Sequence, residues 1–201
     1  MVTGARVTDE LDDWLPKPTL RVAHRRRSSA SAERLWEAAG DLRLSDTPVL
    51  GRLVQWRIPG LDRDQTFDRL LREPPFMVLA EHDQALVSGL VGRIWTLRRD
   101  YPRLVDRDAF REWSQTGTAR VAIATWVQPG ARRSTLCTEA RVEAIGAQGQ
   151  VGMTAVRPLV RAFEHLLATE ALRTAVRRAE RADRGRGGGE EAAPGGSTVE
   201  E

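Results

Sequence analysis

Two strongly alternating stretches, Thr118–Val127 (TARVAIATWV) and Ser134–Ile145 (STLCTEARVEAI), are joined by the turn residues Pro129–Arg132. An amphipathic helical pattern follows, from about Met153 to Arg181. Alternation with period two marks strands that bury one face, and two strands joined by so short a turn pair antiparallel. A hairpin cannot take its own apolar face out of water, whereas a helix with an apolar stripe can lie across it. This order predicts an α+β domain: an antiparallel sheet wrapped around a long C-terminal helix.

The rest of the chain extends that sheet. Leu20–Arg27 (LRVAHRRR) starts as an alternating run and ends in charge, as suits an edge strand. A helix is expected next, with Ser31 near its start, Glu33 in its first turn and Gly40 at its end. Leu50–Ile58 sets Val54, Trp56 and Ile58 at period two ahead of Pro59 and Gly60, which reads as a second strand. Phe76–Glu81 and Ala85–Trp95 flank a turn at His82 and Asp83 and make a hairpin, with Gly89 and Gly92 marking a bend. Asp106–Trp113 reads as a short helix capped by Asp106 or Asp108.

At 201 residues, the chain divides into a flexible leader over 1–18, one domain over 19–183, and a tail over 184–201 whose Gly- and Glu-rich composition predicts disorder. The leader is polar and acidic with no apolar h-region, which argues against a secretory signal and for the cytoplasm. No apolar run is long enough to span a membrane. Of 31 basic residues, 30 are arginines beside the single Lys17, yet acidic residues are interspersed and the net charge is only +3. The high pI therefore reflects arginine usage, and no nucleic-acid partner is expected.

The faces of the last predicted strand bear on function. Leu136, Thr138, Ala140 and Val142 share one side, expected to point inward, and Thr135, Glu139, Arg141 and Glu143 share the other, expected to face water. The inward set is small for a core. Either the terminal helix fills the space with Leu159, Val160, Phe163, Leu166 and Leu167, or a cavity remains beneath it.

Chemical signatures are sparse. The three histidines, His24, His82 and His165, form no metal pattern, and Cys137 is the only thiol, so no metal or other cofactor is expected. His24 shares the inward face with Leu20 and Val22, whereas His165 falls off the apolar stripe of Val156, Val160, Phe163 and Leu167. The pairs Asp62/Asp64 and Asp106/Asp108 read as capped turns, since the other ligands of a calcium loop are missing. Gly149/Gly152 and Gly89/Gly92 lack a phosphate-loop lysine or a dinucleotide fingerprint.

The order strand, helix, antiparallel strands and long C-terminal helix resembles the START-like superfamily, also called SRPBCC or helix-grip. Ala30–Trp36 (ASAERLW) is similar to the helix start after its first strand. Gly89–Trp95 (GLVGRIW), Thr138–Val142 (TEARV) and Arg157–Arg161 (RPLVR) resemble an uncharacterised bacterial branch, and the likeness covers about residues 20–182. It departs at Gln150–Met153, where that branch carries aromatic residues, and Pro158 restrains where the final helix begins.

The resemblance implies binding of a lipid, polyketide or other apolar or amphipathic molecule in a cavity between sheet and C-terminal helix. Trp36, Trp56, Trp95, Ala140 and Phe163 are then the candidate ligand-binding residues. Two alternatives stand beside it. One is a polyketide cyclase or dehydratase of the same fold, with His24 or a buried acid moving protons; its catalytic residues are otherwise unassigned. The other is a non-catalytic interaction protein with a filled core.

Overall fold

In a computed structural model, the described backbone comprises residues 4–96 and 101–187, with the side chains at 4–5, 156–164, 167–168 and 185–187 outside the described set. Its centre is a five-stranded sheet in the order β1-β5-β4-β3-β2. The strands are β1 (Leu20–Ser28), β2 (Met77–His82), β3 (Ala85–Gly92), β4 (Ala119–Gln128) and β5 (Ser134–Ala144), and every pairing is antiparallel. The fold class is α+β, and the C-terminal helix is gripped by the sheet as expected.

Helices supply the covers: α1 (Gly4–Trp14), α2 (Ala32–Gly40), α3 (Pro48–Arg57), α4 (Phe67–Arg72), α5 (Arg107–Arg111), α6 (Gly146–Leu166) and α7 (Leu172–Gly187). A π-helical turn, Leu167–Ala171, joins α6 to α7. The C-terminal helix thus begins at Gly146 (φ +72°), directly after β5 and earlier than the apolar pattern implied. Pro158 lies inside α6 rather than at its start. The expected tail lies outside the described residues from 188 onward, and residues 184–187 complete α7.

Capping follows the sequence. Ser31 accepts from the Arg34 amide at the start of α2, Thr66 from the Arg69 amide at α4, and Asp106 from the Ala109 amide at α5. The Asp62 carboxylate accepts from the Asp64 amide within a turn, as expected of that pair.

Three expectations are corrected. Leu50–Ile58 is not a strand but most of α3. Pro48 stands in its first turn, and Leu50, Gly51 and Val54 are its buried positions at helical spacing. Gly51 lets α3 approach Leu44 closely, since a side chain there would collide with the Leu44 carbonyl, and Trp56, which the period-two reading placed with Val54, is exposed.

The leader is not loose either. Val7, Leu11, Trp14 and Leu15, spaced as one helical face, are buried against Val87, Val91, Ala122, Ala124, Trp126 and Cys137. The centre of the second face of β5 is therefore dry, and this is the third correction: Glu139 and Arg141 are each 1% exposed, while Thr135 and Glu143 are partly exposed. Burial of two such charges is tolerable because they satisfy one another. Arg141 Nε donates to Glu139 Oε1 at 2.7 Å, and its other nitrogens reach the Asp12 carboxylate and the Leu15 and Thr8 carbonyls of the α1 segment. Glu139 also accepts from Arg21 at 3.0 Å, which raises the Arg21 pKa.

Arg141→Met should lower stability to urea by about 3 kcal/mol, because Glu139 loses its buried partner. Adding Glu139→Leu should restore stability to within about 1 kcal/mol, since an apolar pair of similar volume needs no desolvation.

Candidate functional site

The site is the space on the sheet face opposite α1. Leu20 and Val22 of β1, Val121, Ile123 and Thr125 of β4, and Leu136, Thr138, Ala140 and Val142 of β5 form its floor. Strand pairing sets these into rows: Leu20, Val142, Val121 and Leu90 in one, Val22, Ala140 and Ile123 in the next, His24, Thr138 and Thr125 in a third. One wall comes from α3 and α4 through Leu53, Val54, Trp56, Phe67, Leu70 and Leu71, and another from Ala171, Leu172 and Ala175 on the C-terminal helix. A cavity of about 310 Å³ remains between them.

The cavity exists because the residues facing it are small where helix and sheet approach each other. Ala39, Ala140, Ala171 and Ala175 all line it. The helix is held by polar ties at its flanks. Glu170 accepts from the Val49 and Leu50 amides at 3.2 and 2.9 Å, occupying the N-terminus of α3. Glu180 accepts from Ser28 Oγ at 3.3 Å and the Ser29 amide at 3.1 Å, where β1 ends. Arg178 reaches Asp46 at 3.3 Å and the Asp41 carbonyl at 3.0 Å.

Polar groups on this surface are few. Arg57 is the charged side chain among the described lining residues, and its Nη2 donates to the Arg93 and Ile94 carbonyls at 3.2 and 3.0 Å. Its guanidinium lies 5.0 Å from the centre of the Tyr101 ring. Thr138 Oγ1 donates to the Ala124 carbonyl at 3.1 Å.

The candidate residues divide. Trp56 and Ala140 line the cavity, and Trp56 is 48% exposed. Trp36 is not among the described lining residues; it flanks the cluster that packs α2 on α7. Trp95 is likewise not among the described lining residues; its ring lies where a side chain at Gly152 of α6 would be. Phe163 falls on α6, and its side chain lies outside the described residues. Sequence reasoning missed the α3–α4 wall. Thr66 followed by the i, i+3, i+4 spacing of Phe67, Leu70 and Leu71 was the available signal.

The remaining titratable candidates are dispersed. His24 is half-buried on the cavity face, His82 Nε2 lies 2.7 Å from Glu10 Oε1 on the α1 side, and His165 is exposed. Among the described residues, no group of three or more His, Cys, Asp or Glu side chains could hold a metal ion. No described helix is long and apolar enough to cross a membrane. Cys137 is fully buried in the α1-side cluster, and desolvation pushes its thiol pKa up to about 11.

No family model matches the chain, and no curated protein matches it in sequence. Solved structures share its outline. A hypothetical protein from Helicobacter pylori has 11% identity and a TM-score of 0.42, covering 84% of this chain and 93% of its own. The Zhui aromatase/cyclase from a Streptomyces species has 16% identity and a TM-score of 0.36, covering 84% of this chain and 98% of its own. A Thermus thermophilus protein has 12% identity and a TM-score of 0.32, covering 81% of this chain and 99% of its own. At such identities the cavity residues have to be read from this chain itself.

The Cys137 thiol should resist alkylation at about pH 8 in the folded protein and react once unfolded in urea, as followed by mass spectrometry. Its folded pKa lies above the ordinary 9.0, so its contribution to stability is complete below pH 9 and is lost as pH rises through 11. The urea midpoint of the native chain should therefore fall over that range relative to a Cys137→Ala variant.

Proposed function

We propose that this protein is a START-like, helix-grip binding protein that holds an apolar or amphipathic small molecule, lipid or polyketide-like, between sheet and C-terminal helix. The observation that carries this reading is the cavity of about 310 Å³ on the side of the sheet away from α1, lined almost throughout by aliphatic and aromatic side chains. Ligand sites are concave and mostly apolar with a few placed polar groups, and this volume is at the lower end of their range. It suits a compact ligand better than a long acyl chain.

Burial of an apolar ligand here would be driven by removing both surfaces from water, at roughly 25 cal/mol per Å². The floor carries no carboxylate among the described residues that could work with His24, so binding is placed ahead of cyclase or dehydratase chemistry. A filled-core interaction protein is disfavoured by the cavity itself. A nucleic-acid partner is disfavoured by the pairing of Arg21, Arg34, Arg69, Arg72, Arg120 and Arg141 with carboxylates.

Saturable binding of compact aromatic or isoprenoid compounds should be detectable by native mass spectrometry and by quenching of Trp56, which lines the cavity. Ala140→Phe places a ring into the empty space. It should weaken binding about tenfold or more while leaving the thermal midpoint within a few degrees of the native value. Equal affinity in the Ala140→Phe variant would remove the cavity as the binding site.

A further inference from the structure

The cavity floor is not equally open along its length. On the two central strands, Val121, Leu136 and Val142 are buried, whereas Ile123, Thr125, Thr138 and Ala140 keep accessible surface. Both β4 and β5 have a strand on either side, and α1 covers the far face of the sheet, so the open surface of these lining residues faces the cavity. Two of the four carry hydroxyls.

Thr125 and Thr138 stand directly opposite one another in the antiparallel pairing of β4 with β5, which sets their Cβ atoms about 5 Å apart. A single ligand oxygen between them can meet both hydroxyls at ordinary hydrogen-bond length. What each hydroxyl offers is different. Thr138 Oγ1 donates to the Ala124 carbonyl at 3.1 Å, so its proton is engaged and it presents lone pairs. Thr125 makes no side-chain hydrogen bond to another described residue, and its hydroxyl has a proton to give.

The pair is thus a donor beside an acceptor. A neutral hydroxyl accepts and donates through one atom, and so it satisfies both. An ether or ketone oxygen accepts from Thr125 but gives Thr138 nothing, and a hydrocarbon answers neither. Sites built to hydrogen-bond a hydroxyl discriminate against the analogue that lacks it, because their own polar groups are then left unpaired.

We propose that Thr125 and Thr138 are specificity-determining residues that select apolar ligands bearing a neutral hydroxyl group, an alcohol or a phenol, over hydrocarbons and over ethers and ketones. The inference rests on the cavity being the binding site. It deepens that reading by naming the ligand class.

The test measures binding of naphthalene, methoxynaphthalene and naphthol to the full chain by equilibrium dialysis near neutral pH, where a phenol keeps its proton. Naphthol should bind about tenfold more tightly than naphthalene, with methoxynaphthalene between them. Thr138→Val removes the acceptor and should bring naphthol to the level of methoxynaphthalene. In Thr125→Val combined with Thr138→Val, a change that keeps side-chain shape, the preference for naphthol over naphthalene should fall below about threefold. Thr125→Ser combined with Thr138→Ser keeps both hydroxyls and should retain it.

The selection proposal fails, and the binding reading stands, if naphthalene binds and naphthol shows no preference. It fails equally if the preference survives in the valine pair, is lost in the serine pair, or still separates naphthol from methoxynaphthalene in Thr138→Val. If none of the three probes binds saturably, both readings fail.

Discussion

Everything in this structure follows from a sheet whose two faces must both be kept out of water by helices of different character. On one side α1 makes a close-packed contact through Val7, Leu11, Trp14 and Leu15. On that same side lie Glu139 and Arg141, which would be untenable in a dry layer unless paired. The α1 segment supplies the Asp12 carboxylate and two backbone carbonyls to Arg141, so the cover and the buried charges require each other. Packing adds to this: Trp14 meets Phe110 edge-to-face at 5.9 Å, and Arg111 lies 4.5 Å from the centre of the Trp14 ring.

The opposite face is built on another plan. Its sheet residues are Leu, Val, Ile, Thr and Ala, and the helical residues meeting them include Ala171 and Ala175. Close packing is therefore achieved around the perimeter and not at the centre. Glu170 on the N-terminus of α3 and Glu180 at the end of β1 fasten the C-terminal helix at two places, and Leu172, Ala175, Val176 and Ala179 between them pack against α2 and the sheet. A rigid, fully packed side opposite a hollow side is a sound basis for a binding site, because the floor is fixed before a ligand arrives.

Much of this was legible in local sequence. Strands β1, β4 and β5 show alternation, the caps Ser31 and Asp106 stand where their helices start, and the inward set Leu136, Thr138, Ala140 and Val142 does face the cavity. The departures have separate causes. Val54 and Trp56 stand two apart, which a strand would put on one side, but two helical steps of about 100° put them on nearly opposite faces, so α3 buries Val54 and exposes Trp56. Trp36 and Trp95 are not among the described lining residues, whose aromatic members are Trp56, Phe67, Phe76 and Tyr101.

The sequence by itself determined the antiparallel sheet and its C-terminal helix, since period and turn chemistry are local properties and survive in any tertiary setting. Whether the second face of β5 is wet or dry, and whether the first face encloses empty space, was decided only by tertiary structure. Glu139 and Arg141 read as surface residues until α1, more than a hundred positions earlier, is placed over them. The cavity is likewise a difference between the volumes that sheet and helices bring together from distant parts of the chain, and no single segment encodes it.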